Sequence, residues 1–67
     1  MNLNLRNAIK ENMSGNDKQQ IRATIEDAIQ SGEEKMLPGL GVLFEMAWKN
    51  ATPEQQEDML SHIEREL

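Results

Sequence analysis

The chain has 67 residues, with twelve acidic side chains against seven lysines and arginines, a formal net charge of −5 and no cysteine. A chain this short predicts one domain over residues 1–67, and it buries only about 60% of its unfolded surface, so a monomer is marginally stable. The lack of cysteine excludes disulfides, thiol nucleophiles and cysteine-based zinc sites.

Two amphipathic helices are predicted in the first half. The first has one apolar face, formed by Leu5, Ala8, Ile9 and Met13. Asn2 or Asn4 is available as its N-cap, and the pair 14–15 stops it. For the second helix, over 17–31, Asn16 is the expected N-cap with Gln19 three residues later, and Gly32 suits the left-handed position that ends a helix.

The third helix is predicted to be apolar on nearly every side. Pro38 disfavours the helical conformation at Leu37, so we expect a break near 36–37. Gly39 and Gly41 then predict a tight start and a close approach to another backbone. The apolar residues that nearly encircle the helix are Leu40, Val42, Leu43, Phe44, Met46, Ala47 and Trp48. Such a helix must be covered on most sides.

The clearest boundary in the sequence precedes the fourth helix. Thr52, Pro53 and Gln55 supply an N-cap, a first-turn proline and the glutamine of a capping box. One face of this helix carries Met59, Leu60, Ile63 and Leu67. With no strand pattern elsewhere, we expect an all-α fold, a small bundle of about four short helices.

The charges are unevenly distributed along the chain. Residues 1–31 are electrically balanced, so the whole excess of −5 falls in 32–67. A basic strip on the first two helices is the one feature that favours nucleic acid, and it consists of Arg6, Lys10, Lys18 and Arg22. Because the acidic half repels phosphate, binding of nucleic acid is the alternative interpretation rather than the main one.

No arrangement in the sequence predicts catalysis. Asp58 and Glu66 lie one turn from His62 and would allow a weak surface cation site, but the favoured interpretation of His62 is a solvated side chain on the helix face. The acidic cluster that includes Glu54 and Glu57 suits a helix N-terminus, and the G-x-G at 39–41 lacks the strand and lysine of a phosphate loop. We therefore expect no enzymatic activity, no cofactor, no metal and no small-molecule substrate.

The largest apolar side chains allow two interpretations. Phe44 and Trp48 form either the centre of the core or the anchor of a protein interface. Three short helices with narrow apolar stripes do not cover the third helix completely, so we expect exposed apolar surface in one copy. The expected solution is a homodimer whose interface includes Phe44, Trp48, Met59 and Ile63.

The N-terminal residues show no targeting pattern, and the apolar run of 36–48 is too short and interrupted to span a bilayer. We expect no membrane contact and a protein that stays in the compartment where it is made, the cytoplasm.

Residues 27–45, DAIQSGEEKMLPGLGVLFE, resemble the small acid-soluble spore protein I family of endospore-forming bacteria. The resemblance extends to residues 2–6, 15–16, Trp48 and 59–60, and thus covers most of the chain. It implies a minor protein made in the forespore and held in the dormant spore core, with no catalytic activity and with a protein partner still to be identified. It does not imply DNA coating, which belongs to a separate family of spore proteins.

Overall fold

The chain folds into four α-helices and one 3₁₀ turn in a computed structural model, which describes residues 4–67. The elements in chain order are α1 (Leu5–Met13), α2 (Lys18–Ser31), the 3₁₀ turn (Glu34–Met36), α3 (Leu37–Asn50) and α4 (Pro53–Glu66). The predicted all-α class and the number of helices are confirmed.

Two helix boundaries form as the sequence predicts. Gly32 ends α2 in the left-handed conformation, with φ of 66° and ψ of 11°, and its N–H donates to the Ile29 carbonyl. Thr52 and Gln55 form the reciprocal capping box of α4. The Gln55 N–H donates to Thr52 Oγ1 at 3.1 Å, and the Thr52 N–H donates to Gln55 Oε1 at 2.9 Å. Each bond satisfies a helix-end group that otherwise lacks a partner.

The predicted N-cap of α2 is wrong by one residue. Asp17, not Asn16, caps the helix: the Gln20 N–H donates to Asp17 Oδ1 at 2.9 Å, and Gln20 Oε1 accepts from the Asp17 N–H. Both positions have a glutamine three residues later, so the motif alone does not separate them. The carboxylate of Asp17 interacts more favourably with the helix dipole, and the Asn16 amide contacts Met13 Sδ instead.

At the start of α1, Asn4 occupies the N-cap position, but within residues 4–67 its side chain makes no capping hydrogen bond. The alternative cap, Asn2, lies outside the described residues.

The boundary predicted near 36–37 is confirmed, because α3 begins at Leu37, but the expectation that Pro38 keeps Leu37 out of the helical conformation is wrong. Leu37 is helical, with φ of −61° and ψ of −42°, and the 3₁₀ turn leads directly into α3. Pro38 sits in the first turn, where no intrahelical N–H bond is lost and the carbonyl four residues back lies outside the helix. The preference of a pre-proline residue for extended backbone is therefore overridden.

No neighbouring backbone lies close to the two glycines of α3, so neither position requires a glycine for that reason. A Cβ added at Gly39 would lie 3.5 Å from Ile9 Cδ1, which is ordinary van der Waals contact, and one at Gly41 would meet nothing within 4 Å. The expectation of backbone contact is wrong, because α1 packs across α3 through side chains.

The packed interior is very small. Of the residues that the structure describes, Ala28 and Val42 alone are buried. The large apolar side chains that stay exposed are Leu5, Ile29, Met36, Leu37, Phe44, Leu60, Ile63 and Leu67. The expectation that one copy leaves part of α3 uncovered is confirmed.

The overall dimensions agree with this loose packing. The Cα radius of gyration is 13.0 Å, whereas a compact domain of this length has about 11 Å. The accessible surface is 5961 Å², and a folded monomer of this mass typically exposes about 4,300 Å². One copy therefore exposes roughly 1,600 Å² more than a typical monomer does. None of the described helices is long and apolar enough to cross a membrane.

The same substitution is expected to have opposite effects at two glycines. Gly41→Ala should raise the free energy of unfolding by about 0.5 to 1 kcal/mol, because the site is helical and open. Gly32→Ala should lower it by about 1 kcal/mol, because an L side chain is strained at positive φ. Urea unfolding followed by circular dichroism measures both. Equal changes in the free energy of unfolding, with the same sign, would contradict the helical conformation at Gly41 or the left-handed conformation at Gly32.

Thr52→Ala should lower the free energy of unfolding by about 1 kcal/mol, because it removes the acceptor that caps α4. Thr24→Ala is the matched control. Thr24 is exposed inside α2 and its hydroxyl donates to the Gln20 carbonyl of the same helix, so its loss should change stability by less than about 0.5 kcal/mol. If thermal melts gave the same melting temperature for the two variants, the capping box would not be a stabilising feature.

Candidate interaction surface

An open apolar groove lies where α3 and α4 meet beside the start of α1. We call it the aromatic groove, and its volume is about 560 Å³. Its lining consists of Arg6, Phe44, Glu45, Trp48, Lys49, Leu60 and Ile63. Four apolar side chains form its surface and three charged side chains accompany them, an arrangement typical of a protein-binding site.

The floor of the groove is formed by the two aromatic residues of the chain. Phe44 and Trp48 are four residues apart, which places them on the same face of α3. Their ring centroids are 5.9 Å apart and their planes are tilted by 33°. Phe44 is 43% exposed and Trp48 is half-buried. The interpretation of these rings as the centre of a buried core is therefore wrong for a single copy.

The wall of the groove comes from α4. Leu60 is 46% exposed and Ile63 is 44% exposed, and both line the groove. Of the four predicted interface residues, the structure thus brings Phe44, Trp48 and Ile63 together, whereas Met59 is half-buried and stands outside the lining. Leu60 is missing from the predicted set although it belongs to the apolar face of α4. Met59 and Leu60 are adjacent, and the rotation of α4 about its axis decides which of the two faces the groove.

A polar contact fixes the turn between α3 and α4. The Trp48 carbonyl accepts from the Ala51 N–H at 3.2 Å and from Gln56 Nε2 at 3.0 Å. Gln56 is half-buried and holds the first turn of α4 against the last turn of α3. This hydrogen bond links α4, which carries the wall of the groove, to α3, which carries its floor. A polar residue at this position carries no sequence signal for such a role.

A bidentate ion pair joins α1 to α3 in the groove lining. Arg6 Nε donates to Glu45 Oε1 and a terminal guanidinium nitrogen of Arg6 donates to Glu45 Oε2, each at 2.8 Å. These hydrogen bonds, together with the charges of Arg6 and Lys49, lower the pKa of Glu45 below its ordinary value. The hydrogen bonds to Glu45 and the negative charge of Glu45 in turn raise the pKa of Arg6. The signal in the sequence is Glu45 itself, the single acidic residue of an apolar helix.

The basic residues considered for nucleic acid border two different depressions. Arg6 and Lys10 line a cleft between α1 and α3, together with Glu45 and Lys49. Lys18 and Arg22 border a depression on α2 that also includes Glu26. Because Arg6 is held by Glu45, one cation of the predicted strip is already neutralised.

The acidic face of α4 gathers no metal-binding cluster. Asp58, His62 and Glu66 are all exposed. Within residues 4–67, no group of three or more histidine, aspartate or glutamate side chains is placed to hold a metal ion.

Comparison with known proteins gives one family. The family model described as "Small, acid-soluble spore protein I" matches residues 3–67. A protein of that name from Bacillus cytotoxicus is 60% identical over 67 residues, which are 100% of this chain and 96% of the relative. Its namesakes from Bacillus mycoides and Bacillus cereus are each 58% identical over all of this chain and 97% of theirs. No solved structure matches the chain significantly.

Glu45→Gln should flatten the dependence of stability on pH below about 4.5. The pKa of Glu45 is lower in the folded than in the unfolded chain, so its contribution is present above the unfolded value and is lost as the pH falls through the folded value. Chemical unfolding at several pH values between about 2 and 7 measures this slope. Glu57→Gln, at an exposed carboxylate of α4, is the control and should keep the parental slope. Parallel curves for the parent and Glu45→Gln would show that the ion pair does not form in solution.

Proposed function

The chain belongs to the small, acid-soluble spore protein I family, and we propose that it is a non-enzymatic component of the dormant spore core that acts through protein contacts on the aromatic groove. The observation that carries this proposal is the exposure of Phe44, Leu60 and Ile63 around the half-buried Trp48, in a chain with almost no buried interior. Large apolar side chains gathered at one surface are what protein interfaces bury at their centres.

The chemistry of the groove supports binding rather than catalysis. General acid–base work needs a titratable group poised near a substrate in an enclosed pocket. The titratable groups in the lining are Arg6, Glu45 and Lys49, and the first two neutralise each other in an exposed ion pair. The lining supplies apolar area with a charged rim, which is suited to a protein surface.

The family supports a role in the spore, and the composition of the chain supports a role away from the DNA backbone. The net charge of −5 opposes the release of counterions that drives binding to nucleic acid. The alternative, a nucleic-acid-associated spore protein, would have to use Lys10, Lys18 and Arg22 without a free Arg6. No aromatic side chain accompanies these cations, since Phe44 and Trp48 line the groove.

A photo-crosslinking amino acid placed at Phe44 in an endospore-forming host should join the chain to protein in intact spores. The matched control carries the same group at Ile29, which is 64% exposed on α2 and lies outside the aromatic groove. We expect protein adducts that depend on position 44, identified by mass spectrometry of the attached peptides. Equal yields at the two positions, or adducts to nucleic acid alone, would contradict the proposal.

A further inference from the structure

We propose that the aromatic groove binds a second copy of this chain, so that the protein is a homodimer joined through α3 and α4. The inference rests on the proposed function and identifies the protein that the groove contacts as a second copy of the chain. The groove and its wall supply the contact surface, and the same residues of both copies take part, as the two-fold symmetry of most dimers requires.

The exposed area is sufficient for a stable dimer. A specific interface of standard size removes about 800 Å² from each partner. One copy exposes 5961 Å², roughly 1,600 Å² beyond a typical folded monomer of its mass. Pairing through one face therefore returns the chain toward the surface of an ordinary folded protein, while leaving the rest of the surface to other contacts.

The shape of the groove favours a second copy over an unrelated partner. The chain presents both a floor, formed by Phe44 and Trp48, and an adjoining apolar wall, formed by Leu60 and Ile63 on α4. In a two-fold dimer the wall of each copy would lie against the floor of the other, so that both apolar surfaces would be covered at once. Two copies of such a surface can cover each other's apolar residues without a third molecule.

The charges agree with this arrangement. The helix α4 carries five carboxylates against one arginine, which makes it the most acidic element of the fold. The groove lining that would receive it from a second copy carries Arg6, Lys49 and Glu45, a net charge of +1. The acidic helix of each copy would thus be brought toward a lining of the other that stays net positive after Glu45 has paired with Arg6, which favours correct docking over random contact.

Sedimentation equilibrium of the full chain, across roughly 1 to 100 µM, tests the proposal. We expect a mass that rises toward twice that of one chain. Ile63→Asp should raise the dissociation constant by at least about tenfold, because it places an unpaired charge in the interface. Ile29→Asp, the same change at an exposed isoleucine of α2, should leave the dissociation constant unchanged. A monomer mass at every concentration, or equal weakening by the two variants, overturns the proposal.

A second measurement needs no variant and guards against unfolding of Ile63→Asp. Trp48 is the single tryptophan of the chain and lines the groove. Its emission should shift to longer wavelength when the parental protein is diluted through the dissociation constant, while circular dichroism shows retained helix. Emission that does not change on dilution overturns the proposal.

The crosslinking experiment separates this inference from the proposed function. Adducts at position 44 between two copies of the chain support both. Adducts at position 44 to a different spore protein, with a monomer mass in sedimentation, overturn the homodimer and leave the proposed function standing. Position-independent adducts with a monomer mass overturn both.

Discussion

The structure depends on how α3 is covered. This helix is apolar on nearly every side, and a helix of that kind is stable in water only when most of its surface is packed. Within one copy α1 packs across it, and α2 contributes Ala28 to the interior, yet Val42 is the one α3 side chain that is buried among the described residues. The remaining apolar surface of α3 is therefore available for contact with another chain.

Two polar contacts give that surface its shape. The ion pair between Arg6 and Glu45 fixes α1 against one side of α3, and the hydrogen bond from Gln56 to the Trp48 carbonyl fixes the approach of α4 at the other end. An exposed ion pair stabilises little on its own. Its geometry is bidentate, however, and a bidentate pair defines orientation as well as proximity. The contacts that define the groove are thus polar, whereas the surface they arrange is apolar.

The local structure could be predicted from the sequence, and the contacts between helices could not. Gly32 and the Thr52 capping box determine helix ends through bonds within a few residues, so their motifs suffice. The cap of α2 was ambiguous by one residue because two overlapping motifs fit equally well. Arg6 and Glu45 are 39 residues apart, and no local rule pairs them.

In the candidate site, too, local features could be predicted from the sequence and contacts between helices could not. The spacing of Phe44 and Trp48 places them on one face without further information. Whether that face points inward or outward depends on how much surface the other helices supply, and three narrow stripes do not supply enough. The choice of Leu60 over Met59 depends on the rotation of α4 about its axis, which is decided by contacts with other helices such as the hydrogen bond from Gln56 to the Trp48 carbonyl. The family resemblance, by contrast, was readable from the sequence, and the comparisons confirm it.

If the fold is completed by contact between two chains, as proposed above, the stability of the protein must depend on its concentration. The midpoint of urea unfolding should rise with concentration, since a hundredfold increase adds about 2.8 kcal/mol to the apparent stability of a dimer that unfolds to separate chains. A midpoint that stays constant over a hundredfold change in concentration would show that a single chain folds without a second copy covering α3.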